Sequence, residues 1–531
     1  MARGVTKRAQ RHAVLAAIAR REWLLQMLAL GAAGCGRDRA LGRSSQLIIL
    51  YPGDEWVLGP AADMQAKLMV FLPLVGRDAN GALVPRLAER WERSPDGRTW
   101  TVHLRHGIRW HDGVPVTAHD VKFTLDLLTQ VEAVSPAVAP GSYAVTVLDD
   151  YTYTITLYRR APGVPTDDYT VFYPRHLLAN LDPQDFPRWD FWTRPVGNGP
   201  YRYHRHVEKT MMELEANPDF FLGRPNIERV VLKFGRPSLT ELVSGNVDAL
   251  AYIDQTALLS IAGDPRFEAH HMVNGFDHHV ILWNHRRPMF DDPLARRALT
   301  LAIDRYELQR VVNLPPNLPV VDTIFTQDQF QRGALPAPLP FDPAEAGRLL
   351  TEAGWRDEDG NGVRERRGEP FRFVALVPPS GAVFAPSLEK AALYVQARLR
   401  QVGVDMAIRT LDIAAGRRLE NAGQFDASFR RLTVPAYRRL FSDNTSPIGY
   451  VNPDVRGPLE RAGRTVSPEE EDRIYLEARP AFERDHPLTY LYPDAWTTVA
   501  HRRVRGWSES YLAEAFYHME DLWLDDRRES Q

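Results

Sequence analysis

The sequence predicts an α/β protein built from more than one structural unit, and three observations point there. The chain is 531 residues long, enough for about three units of roughly 150 residues each. Segments 99–105 and 151–158 alternate apolar and polar residues with period two, as half-buried antiparallel strands do. The second half alternates short apolar runs with amphipathic helical stretches, the pattern of strands covered by helices. A hydrophobic content of 44%, with 10% aromatic residues, supplies material for large cores and excludes disorder or a low-complexity polymer. A formal charge of −3 is too close to zero for a protein held on nucleic acid by phosphate neutralisation.

At the N-terminus, residues 1–34 carry six basic side chains (Arg3, Lys7, Arg8, Arg11, Arg20, Arg21) and one acid, Glu22. A mostly apolar stretch from Trp23 to Gly34 follows, shorter than a membrane-crossing helix needs and suited to a signal-peptide core. It ends in Ala32-Ala33-Gly34-Cys35, which resembles a bacterial lipobox, and Cys35 is the one cysteine of the chain. No intrachain disulfide or thiolate metal cluster is therefore expected. Arg20-Arg21-Glu22-Trp23-Leu24-Leu25 also resembles a twin-arginine export motif, while a general secretory signal wants the same basic start; both routes stay open. Removing residues 1–34 leaves 59 bases against 67 acids, a charge of −8. No later apolar run approaches the 18 residues of a membrane span.

After a linker at 36–45, Leu47 to Leu50 reads as a buried strand ended by Tyr51-Pro52-Gly53. Thr117 to Leu128 reads as an amphipathic helix with Thr117 as N-cap and Asp120 in its first turn. Strands are expected at 230–234 and 279–283, with a helix from Ser238 between them. Pro293 to Asn313 is expected as one long helix opened by Pro293, where the missing N–H is not needed. Asp304-Arg305 would then be an ion pair inside it. Helices at 343–353 and 386–402 alternate with strands at 371–377, 404–411 and 425–429.

Ordered blocks then become recognisable. Val84-Pro85-Arg86-Leu87-Ala88-Glu89-Arg90-Trp91, Ser94-Pro95-Asp96-Gly97, Trp110-His111-Asp112-Gly113 and Thr117-Ala118-His119-Asp120-Val121 resemble the signature of the family 5 extracellular solute-binding proteins. Further blocks follow in order: Pro195 to Tyr201 with its Gly-Asn-Gly-Pro turn, Asn217 to Pro225, Ser244 to Asp248, Leu282-Trp283-Asn284, Asp292 to Leu299 and Phe341 to Ala346. Asp96-Gly97 and Asp112-Gly113 read as tight turns rather than as chemistry.

The resemblance implies a two-lobed α/β architecture, the type II periplasmic-binding-protein (Venus flytrap) fold, with an α+β subdomain inserted in lobe one. The implied layout is a signal at 1–34 and lobe one at 46–272 with the insertion at about 85–190. Lobe two spans 273–495, and 496–531 returns to lobe one. The implied hinges lie near Met272–Val280 and Tyr492–Thr497. It also implies a binding component of an ABC importer: not an enzyme, monomeric, without cofactor or nucleic acid, lipid-anchored through Cys35 outside the cytoplasm. Its partners would be a small or peptide-like solute and membrane permease subunits. Exported hydrolases, and receptors or chaperones on the same fold, are the competing classes.

Candidate solute contacts are Tyr51, Glu55 and Trp56 after the first strand, Asn198 in the glycine turn, Trp283 and Asn284, and the Arg430, Arg431, Tyr437 segment. Aromatic faces give contact area at little entropy cost, and guanidinium forks recognise carboxylates. Relatives that hold a peptide amino terminus carry an acid after the strand at 425–429; here Leu432 to Arg438 has none. The expectation is therefore a larger, backbone-held or anionic solute. Asp357-Glu358-Asp359-Gly360-Asn361-Gly362 resembles the start of a calcium loop, but Glu369 falls one place late for the twelfth position, so a turn is expected. His103, His106, His111 and His119 lack a metal-ligand spacing and are expected to face solvent. His270-His271 and His278-His279 lie near the hinge without implying a metal site.

Overall fold

The computed structural model describes residues 45–52, 64–78, 83–131, 141–158, 170–251, 253, 255–314, 318–325, 334–379, 388–432, 440–441, 446–462, 465, 468–507 and 518–525. The signal segment, Cys35 and the linker to residue 44 lie outside them. Residues from Leu47 onward make up one compact unit.

Its first strand is β1 (Gln46–Tyr51), followed by helix α1 (Met64–Val70), and the short pair β2 (Val75–Arg77) and β3 (Leu83–Pro85). Next come β4 (Ala88–Arg93), β5 (Thr99–Leu104), helix α2 (Ala118–Leu128), β6 (Tyr143–Asp149) and β7 (Thr152–Leu157). These four strands form an antiparallel sheet in the order β4-β5-β7-β6. Asp120 anchors α2: its Oδ2 accepts the Thr117 N–H at 2.8 Å and its Oδ1 accepts the Arg175 N–H at 2.9 Å. Satisfying free N–H groups at a helix start is what an acid in the first turn does.

The main sheet is continued by β8 (Tyr201–Val207), β9 (Met211–Ala216) and β10 (Arg229–Phe234), then helix α3 (Leu239–Val243) and β11 (Ala249–Leu250). A 17-residue strand follows, β12 (Phe267–Trp283), far longer than the 279–283 segment expected. Helices α4 (Pro293–Leu301), α5 (Arg305–Val311) and α6 (Pro343–Glu352) precede the hairpin β13 (Glu365–Arg366) and β14 (Glu369–Pro370). The chain closes with β15 (Arg372–Val377), α7 (Leu388–Gln401), β16 (Asp405–Thr410), α8 (Ile413–Asn421) and β17 (Ala427–Leu432). Then come α9 (Pro453–Ala462), α10 (Pro468–Asp485), β18 (Leu488–His501), β19 (Val504–Arg505) and β20 (Trp523–Leu524).

Ten strands share one sheet in the order β16-β15-β17-β12-β18-β11-β1-β10-β9-β8. Apolar packing divides around its middle. One set of buried side chains draws on Leu47 to Phe267 and on Val499 to Leu522. The other draws on Val280 to Tyr492. Residues 268–279 of β12 and 493–498 of β18 belong to neither set, and they run beside each other.

The expected helix at 293–313 is two helices. Asp304 takes an extended conformation (φ −74°, ψ 98°) and its carboxylate accepts the Glu307 N–H, so it caps α5. Arg305 reaches instead to Asp322, both nearly fully buried. His111 departs from the solvent-facing expectation as well. Its Nδ1 accepts the Gly197 N–H at 3.2 Å and its Nε2 lies 3.1 Å from the Gly199 carbonyl. Burial pushes that imidazole down to about 4. His106 and His119 are exposed and His103 is half-buried.

Candidate functional site

The place to look is the crossing of β12 and β18, since it joins the two cores and is filled with polar side chains. The strands pair antiparallel from Phe267↔His501 to Asn274↔Asp494, and resume at His278↔Pro493. Three residues of β12, Gly275 to Asp277, are thus inserted opposite a single step of β18. Pro493 has no N–H to offer a ladder, and a strand proline is accommodated at a bulge of this kind. The bulge carries Asp277, and the residue after the proline is Asp494.

Strand β17 adds the opposite charge. It pairs with β12 so that Arg431 lies across from His279 and Arg430 across from Val280. Arg431 Nη2 is 2.5 Å from Asp277 Oδ2, and its Nε is 2.6 Å from Asp494 Oδ2. The second contact is an ion pair without hydrogen-bond alignment. His279 Nε2 lies 2.9 Å from Asp494 Oδ1. Arg430 Nη1 meets Glu420 Oε2 of α8 at 2.8 Å, and the Ser428 hydroxyl donates to Glu420 Oε1 at 2.5 Å. Burial, helped by the nearby Asp494 charge, pushes the Asp277 carboxyl up to about 6 against the pull of Arg431 and His279.

The other residues singled out in the sequence do not gather here. Trp283 packs its ring on Phe290 and Phe373 and donates its Nε1–H to Thr489 Oγ1 at 3.1 Å. Asn284 gives its side-chain amide to the Phe425 and Gly423 carbonyls. Both serve the second core, because the Thr489 hydroxyl oxygen and two backbone carbonyls already take up their side-chain N–H groups. Tyr51 is buried at the end of β1. Asn198 Oδ1 accepts the Leu72 N–H at 2.9 Å, pinning the glycine turn to the end of α1. Glu55, Trp56 and Tyr437 lie outside the described residues.

Asp277, Asp494 and Glu420 were missed, and His279 was singled out only as part of the His278-His279 pair near the hinge. The signal for two of them was present, since Asp277 and Asp494 fall inside the two implied hinge stretches, and an acid buried in a strand needs a partner. Glu420 carries no such signal, since nothing in the sequence around it sets it apart.

Two acidic clusters elsewhere have local explanations. Asp357 and Asp359 accept the Gly362 and Asn361 N–H groups, holding the turn before β13. Near the C-terminus, His518, Glu520 and Asp521 converge, but the Arg86 guanidinium sits in that cluster, 2.6 Å from Glu520 Oε1.

Four apolar clusters, two on each side of a polar crossing in one shared sheet, define a two-lobed α/β architecture, in which the junction of the lobes is where ligands are commonly held. The chain belongs to the family 5 bacterial extracellular solute-binding proteins, whose middle-region model matches residues 82–438. It is 28% identical over 339 residues to a Brucella ovis protein named for peptide binding in an ABC transporter, covering 62% of this chain and 60% of that one. The chain thus spans about 60% of the length of the Brucella relatives it matches. It is 23% identical over 511 residues to the oligopeptide-binding protein AppA of Bacillus subtilis, covering 91% and 90%. The structure of that AppA with a nonapeptide matches the fold with a TM-score of 0.69, covering 90% and 99% at 20% identity. NikA of Brucella suis, solved with Fe(III)-EDTA, matches with a TM-score of 0.76, covering 90% and 100% at 21% identity.

Proposed function

We propose that this chain captures a polar, peptide-like solute between its two lobes and delivers it to the permease of an ABC importer, without transforming it. The observation that carries this reading is the division of the apolar packing around a polar crossing of two strands. Two rigid bodies joined by two strands can hinge, and solute contacts made only in the closed form shift the population toward it. Moving an equilibrium from 1:99 to 99:1 takes about 5.5 kcal/mol of differential binding. A micromolar ligand brings about −8.2 kcal/mol, so it suffices.

In this reading lobe one is 46–272 with 496–531, lobe two is 273–495, and the crossing stretches are the hinges. Arg430 and Arg431 each already face a carboxylate, which removes the support for an anionic solute. The N-terminal motifs support a working protein outside the cytoplasm, tethered through an acylated Cys35, and the family resemblance supports a monomer. Among the described residues, no helix is long and apolar enough to cross a membrane.

Native mass spectrometry of the protein taken from its own producing cells tests the reading. A co-purified small molecule, released unchanged on denaturation and raising the melting temperature when returned, is the expected result. Conversion of that molecule on incubation would favour the hydrolase reading and overturn this one.

A further inference from the structure

The ten-stranded sheet narrows where it passes between the two sets of apolar packing. Strand β17 pairs with β12 only as far back as His278, and β11 pairs with β18 only at Val499 and Ala500. Between those limits, among the described residues, β12 and β18 run as a two-stranded ribbon. Such a ribbon has no third strand to stiffen it and twists more readily than a wide sheet. Its lobe-one end is held: the Ile253 N–H donates to the Thr497 carbonyl at 2.9 Å, and His271 Nδ1 lies 2.9 Å from Thr497 Oγ1. At its other end the bulge and Pro493 interrupt the ladder, so backbone bonds alone cannot fix the two strands there.

Side chains do so instead. Arg431 of β17 meets Asp277 of β12 through Nη2 and Asp494 of β18 through Nε, and His279 of β12 meets the other Asp494 oxygen. One guanidinium thus joins three strands at the point where the ribbon enters lobe two. Its own strand is fastened from behind, because the buried Glu420 of α8 takes the Ser428 hydroxyl and Arg430. We propose that Arg431 is a positioning residue for solute capture: it clamps both crossing strands to lobe two and confines the hinge bend to the ribbon, Met272 to Phe276 on β12 and Ala495-Trp496 on β18. This rests on the solute-capture reading and adds the residue that keeps lobe closure on one axis.

The reason is geometric. When both strands leave lobe two from a fixed point, the lobes swing about one short segment and their facing surfaces meet the same way each time. A guanidinium suits the task because its rigid fork addresses two carboxylates at once, whereas an ammonium is a point charge on a flexible stem. Arg431→Lys therefore separates bridging from charge. Lysine supplies the positive charge but not the fixed span.

The test uses the full-length chain with Cys35→Ser, spin-labelled at cysteines introduced by Leu222→Cys in lobe one and Leu393→Cys in lobe two, both exposed positions. Double electron–electron resonance should give a narrow set of interlobe distances for this background and a distribution about twofold wider once Arg431→Met is added. Arg431→Lys should stay nearly as wide as the methionine variant although it melts close to the background. Hydrogen exchange on the unaltered chain decides the matter even where the methionine variant fails to fold. Amides at 278–283 and 488–494 should exchange at least about tenfold more slowly than those at 272–276 and 495–496. An unchanged width in Arg431→Met, full recovery of the narrow distribution by lysine, or equal exchange on both sides of Arg431 would overturn the proposal. Capture is read separately, by adding a small-molecule extract of the producing cells to the labelled chain. A distance that the extract does not shorten would remove lobe closure on a solute and leave Arg431 as a hinge restraint, whereas shortening with unchanged widths would do the reverse.

Discussion

Arg503, just after β18, donates from Nε to Asp248 Oδ1 at 2.9 Å across 255 positions of sequence, and both side chains are almost fully buried. The other carboxylate oxygen of Asp248 accepts the Ile48 N–H at 2.8 Å, so one acid ties the chain's returning end to its first strand. Breaking a buried pair by removing one partner leaves an uncompensated charge, at a cost of about 3–5 kcal/mol. Asp248→Ala should therefore lower stability by about that amount in urea unfolding. The double variant Asp248→Leu with Arg503→Met should lose distinctly less, since no charge is left stranded.

The glycine turn is a second rigid point. A Cβ on Gly197 would lie 1.9 Å from the Val70 carbonyl oxygen, and one on Gly199 would lie 2.6 Å from the Val70 carbonyl carbon. Backbone cannot yield as a flexible side chain does. Gly197→Ala should cost at least the about 3 kcal/mol at the top of the usual overpacking range. Thermal melting checks this, with Gly457→Ala as the control: its Cβ meets open space inside helix α9, where alanine should hold or raise stability by up to about 1 kcal/mol.

How far the sequence could be read shows at Asp304. The period of apolar residues runs on through 293–313, and nothing in that period marks a break; only the capping chemistry of Asp304, three residues before Glu307, does. Asp304→Ala should destabilise by about 1 kcal/mol, the usual worth of an N-cap. Strands β5 and β7 and the helices at 343–352 and 388–401 were legible because each buries one regular face, whereas their neighbours β4 and β6, whose burial alternates less regularly, were not. Strand β12 was legible only over its apolar end, Val280 to Trp283. Its polar stretch, His270 to His279, obeys no period because it packs against neither core. For the same reason the crossing acids escaped notice, and residues with core roles, Trp283 and Asn284, stood out instead.

Three histidines make acid the weak side of this fold. Burial pushes His111 to about 4, His285 to about 3 and His486 to about 4. Each then binds its proton in the unfolded chain near pH 6.5 but not in the native one until much lower pH. Native stability should be flat above about pH 7 and should fall as pH drops from 6.5 toward 4, by about 3 kcal/mol for His111 alone. Asp277 works in the opposite sense, its stabilising proton being lost as pH rises through about 6. Urea midpoints measured from pH 7.5 to 4 should show the net decline, and His111→Gln should flatten part of it.

Arg431 holds the crossing against the repulsion of its own acids. Taking it away with Arg431→Met leaves Asp277 and Asp494, drawn from two different strands, facing each other without a cation. At pH 7.5 that should cost about 3–5 kcal/mol, as unpaired buried charges do. The cost has a pH signature that simple loss of packing lacks. Arg431 is one of the groups that hold the Asp277 carboxyl down, so without it that carboxyl takes up its proton at a higher pH than in the parent; by pH 5 it is neutral, the repulsion has ended, and the variant should draw closer to the parent. Unfolding both proteins in urea at pH 7.5 and pH 5 measures that gap, and a gap of constant size would mean that Arg431 acts through its bulk and not its charge.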